Sequence, residues 1–164
     1  MQEAMNGARA RVGDVARIRT GYQSRGRLET RAEGSHVLLQ LRDFDDERTG
    51  IDVAGMARIQ PGPISKEQEL REGDAIFLAK GARSFAFVPR GLPRPALVAA
   101  TFFIMRPSER IDSAYLAWAL NSVSAQRALA RYVRQGVQMR FPVRTDLRAD
   151  VGGDLQAGVG GLIA

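Results

Sequence analysis

Not one cysteine occurs among the 164 residues. Disulfides, thiolate zinc sites and cysteine nucleophiles are therefore ruled out, and a reducing compartment is expected. Histidine is represented by His36 alone, which leaves no imidazole set for a metal. No run of 18 or more apolar residues is available to span a bilayer, and the opening "MQEAMNGARARVGD" has no apolar core of the secretory kind. Lysine is almost missing too: Lys66 and Lys80 stand against a chain whose other basic residues are arginine. The expectation is a soluble, cytoplasmic protein with no membrane partner.

What is present has an ordinary globular balance, 45% hydrophobic and 26% charged, in a length that suits one good core and is short for two. The formal net charge is +6 and the pI about 10.6, which invites a polyanionic partner. The charge is segregated. Residues 9–31 hold seven arginines against Asp14 and Glu29, and residues 127–148 hold six against Asp146. Between them, residues 33–74 carry ten acidic groups and five basic ones. A bias toward arginine codons explains the choice of Arg over Lys, but not this sorting.

Periodicity predicts a short helix near 12–19 closed by Gly21, then a strand over His36–Phe44 ("HVLLQLRDF") and an acidic turn "DFDDERTG" ending at Gly50. "IDVAGMARIQ" reads as a second extended stretch, and residues 65–71 as a helical turn. Ala75–Ala79 and "SFAFVPRG" (84–91) form two strands paired across a tight turn. "ALVAATFFIMRP" (96–107) is the most apolar run and reads as one central strand. Asp112 or Ser113 caps a helix "AYLAWALNS", and Ser122 caps a second, "VSAQRALARYVRQ", closed by Gly136. Trp118 and Tyr132 belong in the core on this reading, while Arg127, Arg131 and Arg134 share a solvated face. Strands followed by a helical pair predict an α+β fold with a mixed or antiparallel sheet.

Catalytic constellations are scarce. His36 stands alone in an apolar strand, no Gly-x-Ser-x-Gly elbow occurs, and no phosphate-cradling glycine loop is present. Asp43, Asp45, Asp46 and Glu47 have neither the spacing nor the glycine of a calcium loop, so a solvated turn is expected. "GDAIFLAK" sets Asp74 before a strand ending in Lys80, in part the layout of metal-dependent nucleases. The second carboxylate belongs at position 78, where Leu78 stands, and two carboxylates are normally needed to hold the metal. No enzyme activity, metal or cofactor is expected.

Five blocks, "VGDVARIRTGYQSRGR", "VLLQLRDFDD", "LREGDAIFLAKGARSFAFVP", "LVAATFFIMRP" and "DSAYLAWALNSVSAQRALARYVRQG", appear in an order and spacing that resembles the target recognition domain of type I restriction-modification DNA specificity subunits. The resemblance covers roughly residues 11–148. It implies a curved, single α+β domain (DNA methylase specificity domain-like) with a C-terminal helical pair. It also implies a non-catalytic role in reading one half of a bipartite double-stranded DNA target, with the methyltransferase and restriction subunits of such a system as further partners. On this division residues 1–10 form a flexible N-terminus, 11–148 the DNA-binding domain, and 149–164 a Gly-rich irregular tail. The family continues into a Pro-rich stretch and a long spacer helix where this chain reads "DVGGDLQAGVGGLIA". The spacer helix is thus expected to be absent, leaving either a truncated remnant or a standalone module. In the second case a partner supplies the helix; the alternative to DNA reading is a truncated module that binds methyltransferase or specificity subunits as a regulator or remnant, without DNA binding of its own.

Base reading needs arginine for phosphates and for guanine O6 and N7, and glycine where backbone must come close. Tyr22, Arg25 and Arg27 lie just past Gly21 in such a loop. Lys80, Arg83 and Ser84 occupy the tight turn between two strands, and Gln138 and Arg140 follow Gly136. These eight residues are the expected DNA contacts.

Overall fold

A computed structural model describes residues 9–78, 83–133 and 142–144, with 9–10, 128, 130–133 and 142–144 described through their backbone. Strand β1 (Arg9–Arg11) runs directly into the four-residue helix α1 (Val12–Val15), whose first turn is closed by the Arg11 N–H donating to Asp14 Oδ2 at 3.0 Å. Val12 and Val15, one turn apart, are both buried. The period then changes. Ala16 and Ile18 alternate with Arg17 and Arg19, so the chain becomes strand β2 (Ala16–Thr20) instead of continuing as the helix expected to residue 19.

Strand β3 (His36–Leu39) stops short of the expected Phe44. The Gln40 N–H donates to Asp43 Oδ2 at 2.7 Å and turns Leu41–Asp43 into a 3₁₀ turn. Asp45 then ties the acidic turn by accepting from Thr49 N–H at 2.8 Å and Thr49 Oγ1 at 3.0 Å. Only β4 (Ala57–Ile59) of the second extended stretch is a strand. Residues 65–71 form hydrogen-bonded turns in place of a helix, with Gln68 N–H donating to the Ser65 carbonyl at 2.9 Å.

Strands β5 (Ala75–Leu78) and β6 (Phe85–Phe87) pair antiparallel as the sequence predicts. The long apolar run is two strands, β7 (Ala96–Val98) and β8 (Phe102–Pro107), folded apart by a turn in which Phe102 N–H donates to the Ala99 carbonyl at 3.0 Å. Asp112 caps α2 (Ser113–Asn121) by accepting from Ala114 and Tyr115 N–H at 2.8 and 3.2 Å. Ser122 Oγ accepts from Ala125 N–H at the start of α3 (Val123–Val133). Strand β9 (Pro142–Arg144) pairs antiparallel with β1. Gly136 and the 149–164 segment lie outside the described residues.

Two larger sheets result. One is antiparallel in the order β2-β8-β5-β6; the other is mixed, β4-β3-β7, with β3 parallel to β7. Side-chain alternation sorts them into layers. Ala75 and Phe77 of β5 and Met105 of β8 face the helices, while Ile76, Leu78, Phe102 and Ile104 face β3 and β7. Val37, Leu39, Ala96 and Val98 complete that central layer, and Leu38 and Leu97 point out of it toward Ile59, Tyr22 and Leu28. Both faces of β3 and β7 are therefore covered, which is why these strands read as unbroken apolar runs.

Phe44, Phe85, Phe87 and Phe102 meet in the central layer at centroid distances of 5.2–6.0 Å. Each such ring pair contributes about 0.5–1.5 kcal/mol beyond burial, and burial of each ring about 1.5–3 kcal/mol, so removal from water dominates. On the other side, the Asn121 amide exchanges two 2.8 Å hydrogen bonds with the backbone of Ala86. The last turn of α2 thus occupies the outer edge of β6 as a further strand would. Trp118, expected in the core, is 48% exposed on α2, lying against the buried Tyr115 at 5.5 Å between ring centroids. Its i, i+3 relation to Tyr115 puts the two on one flank of the helix. Tyr115, Leu116, Ala117, Ala119 and Leu120 of α2 join the core on the sheet, and Trp118 falls outside it. No described helix is long and apolar enough to cross a membrane.

Candidate nucleic-acid interface

At Thr20 the backbone leaves β2 and crosses to the second sheet. Gly21 N–H donates to the Phe102 carbonyl at 2.9 Å and Tyr22 N–H to the Val98 carbonyl at 2.7 Å. A Cβ on Gly21 would fall within the contact radius of the Val98 and Ala99 carbonyl oxygens. This glycine therefore serves the junction of two sheets and not the approach of a ligand, whereas Gly26 faces open space.

Beyond Gly21 the loop is pinned at both ends and open in its middle. Tyr22 is half-buried and bridges Ala99, and Leu28 packs with it on the Leu38, Ile59 and Leu97 cluster. Thr30 bridges Ile59, and Arg31 N–H donates to the Arg58 carbonyl at 2.9 Å. Between the anchors, Ser24 Oγ accepts from Gly26 N–H at 3.3 Å, a local turn that sets Arg25 and Arg27 outward. A groove of about 340 Å³ lies between this loop and residues Ile59, Gln60, Gly62 and Pro63. Tyr22, Arg25 and Arg27, three of the expected contacts, line it together with Gln23 and Arg31.

Arg25 and Arg27 are exposed and have no hydrogen bond or ion pair among the described residues. Arg31 is held loosely by Glu29 at 3.3 Å on an exposed surface, a contact worth little in water. The groove thus presents guanidinium donors whose bonding capacity is open, beside the amides of Gln23 and Gln60, which can pair with a base edge. Gln60 already accepts from Ser35 N–H at 3.3 Å, which fixes its orientation. Sequence reasoning passed over Gln23, Arg31 and Gln60. Arg31 was visible as the end of the basic run, but the opposite wall was not, since nothing in "RIQPGP" shows that it folds against Tyr22.

The second group of expected contacts divides. Arg83 is exposed. Ser84 Oγ instead donates to Gln126 Oε1 at 3.0 Å, and Gln126 Nε2 donates to the Leu120 carbonyl at 2.8 Å, so this hydroxyl docks the turn on α3. Lys80, Gln138 and Arg140 lie outside the described residues. Thr20, Phe103, Phe77 and Ala86 form one cross-strand row. The turn holding Arg83 and the loop holding Arg25 consequently leave the same end of the four-stranded sheet. Thr20, where the loop begins, and β6, which Arg83 precedes, are three strand spacings apart, about 14 Å.

Several carboxylates elsewhere are engaged. Asp74, the residue of the nuclease-like layout, is 2% exposed and accepts Arg106 Nε and Nη2 at 2.8 Å each and Arg71 N–H at 2.8 Å. It is a structural ion-pair partner. The fork bonded to Asp74 raises the Arg106 pKa above its ordinary value despite partial burial. Arg106 also reaches Glu67 at 3.2 Å, and Glu67 further meets Arg71 at 3.0 Å, Arg17 at 3.4 Å and Arg19 at 3.6 Å. Loss of water works to raise the Glu67 pKa, but Arg71 and Arg106 outweigh it and hold the group below its usual range. Asp43 goes the other way: burial raises it, against the Gln40 N–H and Arg42. His36 has both ring nitrogens in contact, Nδ1 with Ser35 Oγ at 2.8 Å and Nε2 with Glu69 Oε1 at 3.3 Å, as a partly buried structural histidine does.

Neither a family model nor a curated protein sequence matches the chain. Among solved structures it is similar to the crystal structure of the HsdS subunit from Thermoanaerobacter tengcongensis, with a TM-score of 0.57 and 13% sequence identity. The likeness covers 99% of this chain and 38% of that subunit. The chain has an α+β fold like that of an HsdS specificity subunit and spans well under half of that subunit's length.

Proposed function

We propose that the chain is a non-catalytic recognition module for double-stranded DNA, with residues 11–148 reading one half of a bipartite target as the domains of a type I specificity subunit do. The observation that carries this reading is the groove beside Tyr22, which Arg25 and Arg27 line with no hydrogen bond or ion pair among the described residues. Arginine there supplies phosphate grip and bidentate reading of guanine, and Gln23 supplies the donor–acceptor pair that fits adenine. Arg83 adds a second point of contact from the same end of the sheet, joined in the proposal by Lys80, Gln138 and Arg140. The compartment is the cytoplasm, where such a target lies.

Fluorescence anisotropy of the full chain on a randomised duplex across a salt series tests it. The logarithm of the affinity is expected to fall linearly with log salt, with a slope near −0.9 for each phosphate held. An isotherm that stays flat at the lowest salt overturns the proposal.

One observation favours a second reading. Trp118 of α2 and Val123 at the start of α3 are 48% and 67% exposed, and an exposed tryptophan is a frequent anchor of protein interfaces. The chain would then bind methyltransferase or specificity subunits as a regulator or remnant, with no DNA binding of its own. Co-elution with such subunits that W118A abolishes, with flat DNA isotherms, would establish it.

A further inference from the structure

We infer that Arg17 and Arg19 form a second phosphate site on the edge of the four-stranded sheet, which Glu67 occupies as an internal stand-in while no polyanion is bound. The inference extends the DNA-binding reading and rests on it.

Three guanidinium groups converge on one oxygen. Arg106 Nη1, Arg17 Nη1 and Arg19 Nε lie 3.2, 3.4 and 3.6 Å from Glu67 Oε2, while Arg71 holds Oε1 at 3.0 Å. A single carboxylate cannot neutralise four cations, and the contacts are unequal. Arg106 is 18% exposed and is already bound in bidentate fashion by Asp74, so its place is structural. Arg17 and Arg19 are 65% and 42% exposed, sit at the two longest distances, and have no other partner among the described residues. They stand at i and i+2 on the same face of β2, already aimed at one anionic oxygen.

An oxygen that attracts three guanidinium groups marks a place where negative charge is wanted. A phosphate offers more acceptor oxygens and more charge than Glu67, and its bonds to arginine can be bidentate. The location agrees. β2 runs straight into the Tyr22 loop, and the segment bearing Glu67 follows Pro63 of the opposite groove wall. Both walls of the groove therefore lead back to this cluster. A backbone laid along the groove reaches Arg17 and Arg19 next, and these two exchange Glu67 for phosphate, whereas Arg71 and Arg106 keep it.

The test uses the full chain with two probes, a randomised duplex and inorganic pyrophosphate. R17Q/R19Q should bind the duplex with a salt slope shallower than wild type by about 0.9, for the one phosphate the pair holds. E67Q should bind roughly fivefold tighter, the factor for removing one like charge near 4 Å in water. Pyrophosphate should raise the wild-type melting temperature and leave that of R17Q/R19Q unmoved. If R25Q/R27Q makes the slope shallower while R17Q/R19Q matches wild type, the edge site is overturned and the groove stands. If the duplex fails to bind but pyrophosphate stabilises through Arg17 and Arg19, the phosphate site stands and the DNA reading falls. Failure of both probes on wild type overturns both. Should E67Q fail to fold, R17Q/R19Q decides alone, since both side chains are exposed.

Discussion

Arg106 and Arg25 are the same residue type in the same basic chain, and their surroundings give them opposite roles. Arg106 lies mostly buried, with its fork on Asp74 and its remaining donors on Glu67 and the Glu69 carbonyl. Arg25 stands on the open rim of a groove with nothing described within bonding reach. Net charge counts the two equally. What separates them is whether the fold supplies a carboxylate, and in the 64–74 segment it supplies several, while the 22–31 loop has Glu29 alone. The acidic middle of the chain is therefore not a repulsive counterweight to the basic ends. Glu67, Glu69, Glu72 and Asp74 take up Arg17, Arg19, Arg71, Arg94 and Arg106 or His36, while Arg25 and Arg27 are left without an ion pair among the described residues.

The contrast predicts opposite outcomes for substitutions at the two places. At the buried end, Asp74→Asn removes the bidentate counter-charge of Arg106 and leaves it only the Glu67 it shares with three other arginines, which should cost about 3 kcal/mol, read as a lower midpoint in urea unfolding. Gly21→Ala forces a methyl against the Val98 and Ala99 backbone where two sheets meet. About 1–3 kcal/mol of stability should disappear, in the same assay. Asn121→Ala strips Ala86 of both its side-chain hydrogen bonds and should cost about 1–3 kcal/mol, with faster hydrogen exchange at Ala86. At the open end, Arg25→Gln with Arg27→Gln should leave stability within about 0.5 kcal/mol, while the duplex salt slope becomes shallower by about 0.9 for each phosphate released. A large drop in stability there would erase the distinction between the two arginines.

The smallest effect is acid sensitivity. Glu67 is held below its usual range in the fold, so its contribution is complete at neutral pH and disappears as pH falls through the depressed value. Asp43 has the reverse sign: its raised value makes the protonated form the favoured one in the fold, so its contribution improves on acidification. Urea midpoints between pH 7 and pH 3 should therefore fall less steeply in E67Q than in wild type.

Where local chemistry decides structure, the sequence was readable. Asp112 caps α2 because its carboxylate meets Ala114 and Tyr115 N–H, and the β5–β6 pair follows from two apolar runs around a short turn. Where a boundary depends on distant partners, it was not. "ALVAATFFIMRP" shows no Gly or Pro at its centre, yet breaks at Ala99–Thr101 because β7 pairs with β3 while β8 pairs with β5. Trp118 has helical spacing to Tyr115, but spacing does not reveal which of the two the core takes in. Tyr22, Arg25 and Arg27 were legible as a basic loop after a glycine. Their shared wall with Gln60 was not, because thirty-odd residues of chain separate the two.

The Tyr22 loop is built like an exchangeable insert. Gly21, Tyr22, Leu28 and Thr30 carry its attachment to the sheets, and the five positions from Gln23 to Arg27 between them bear none of the core. Those positions can change identity, and with it the surface they present, at little cost to the folded state. A scaffold so arranged lets selection rewrite one short stretch while every attachment point stays as it is.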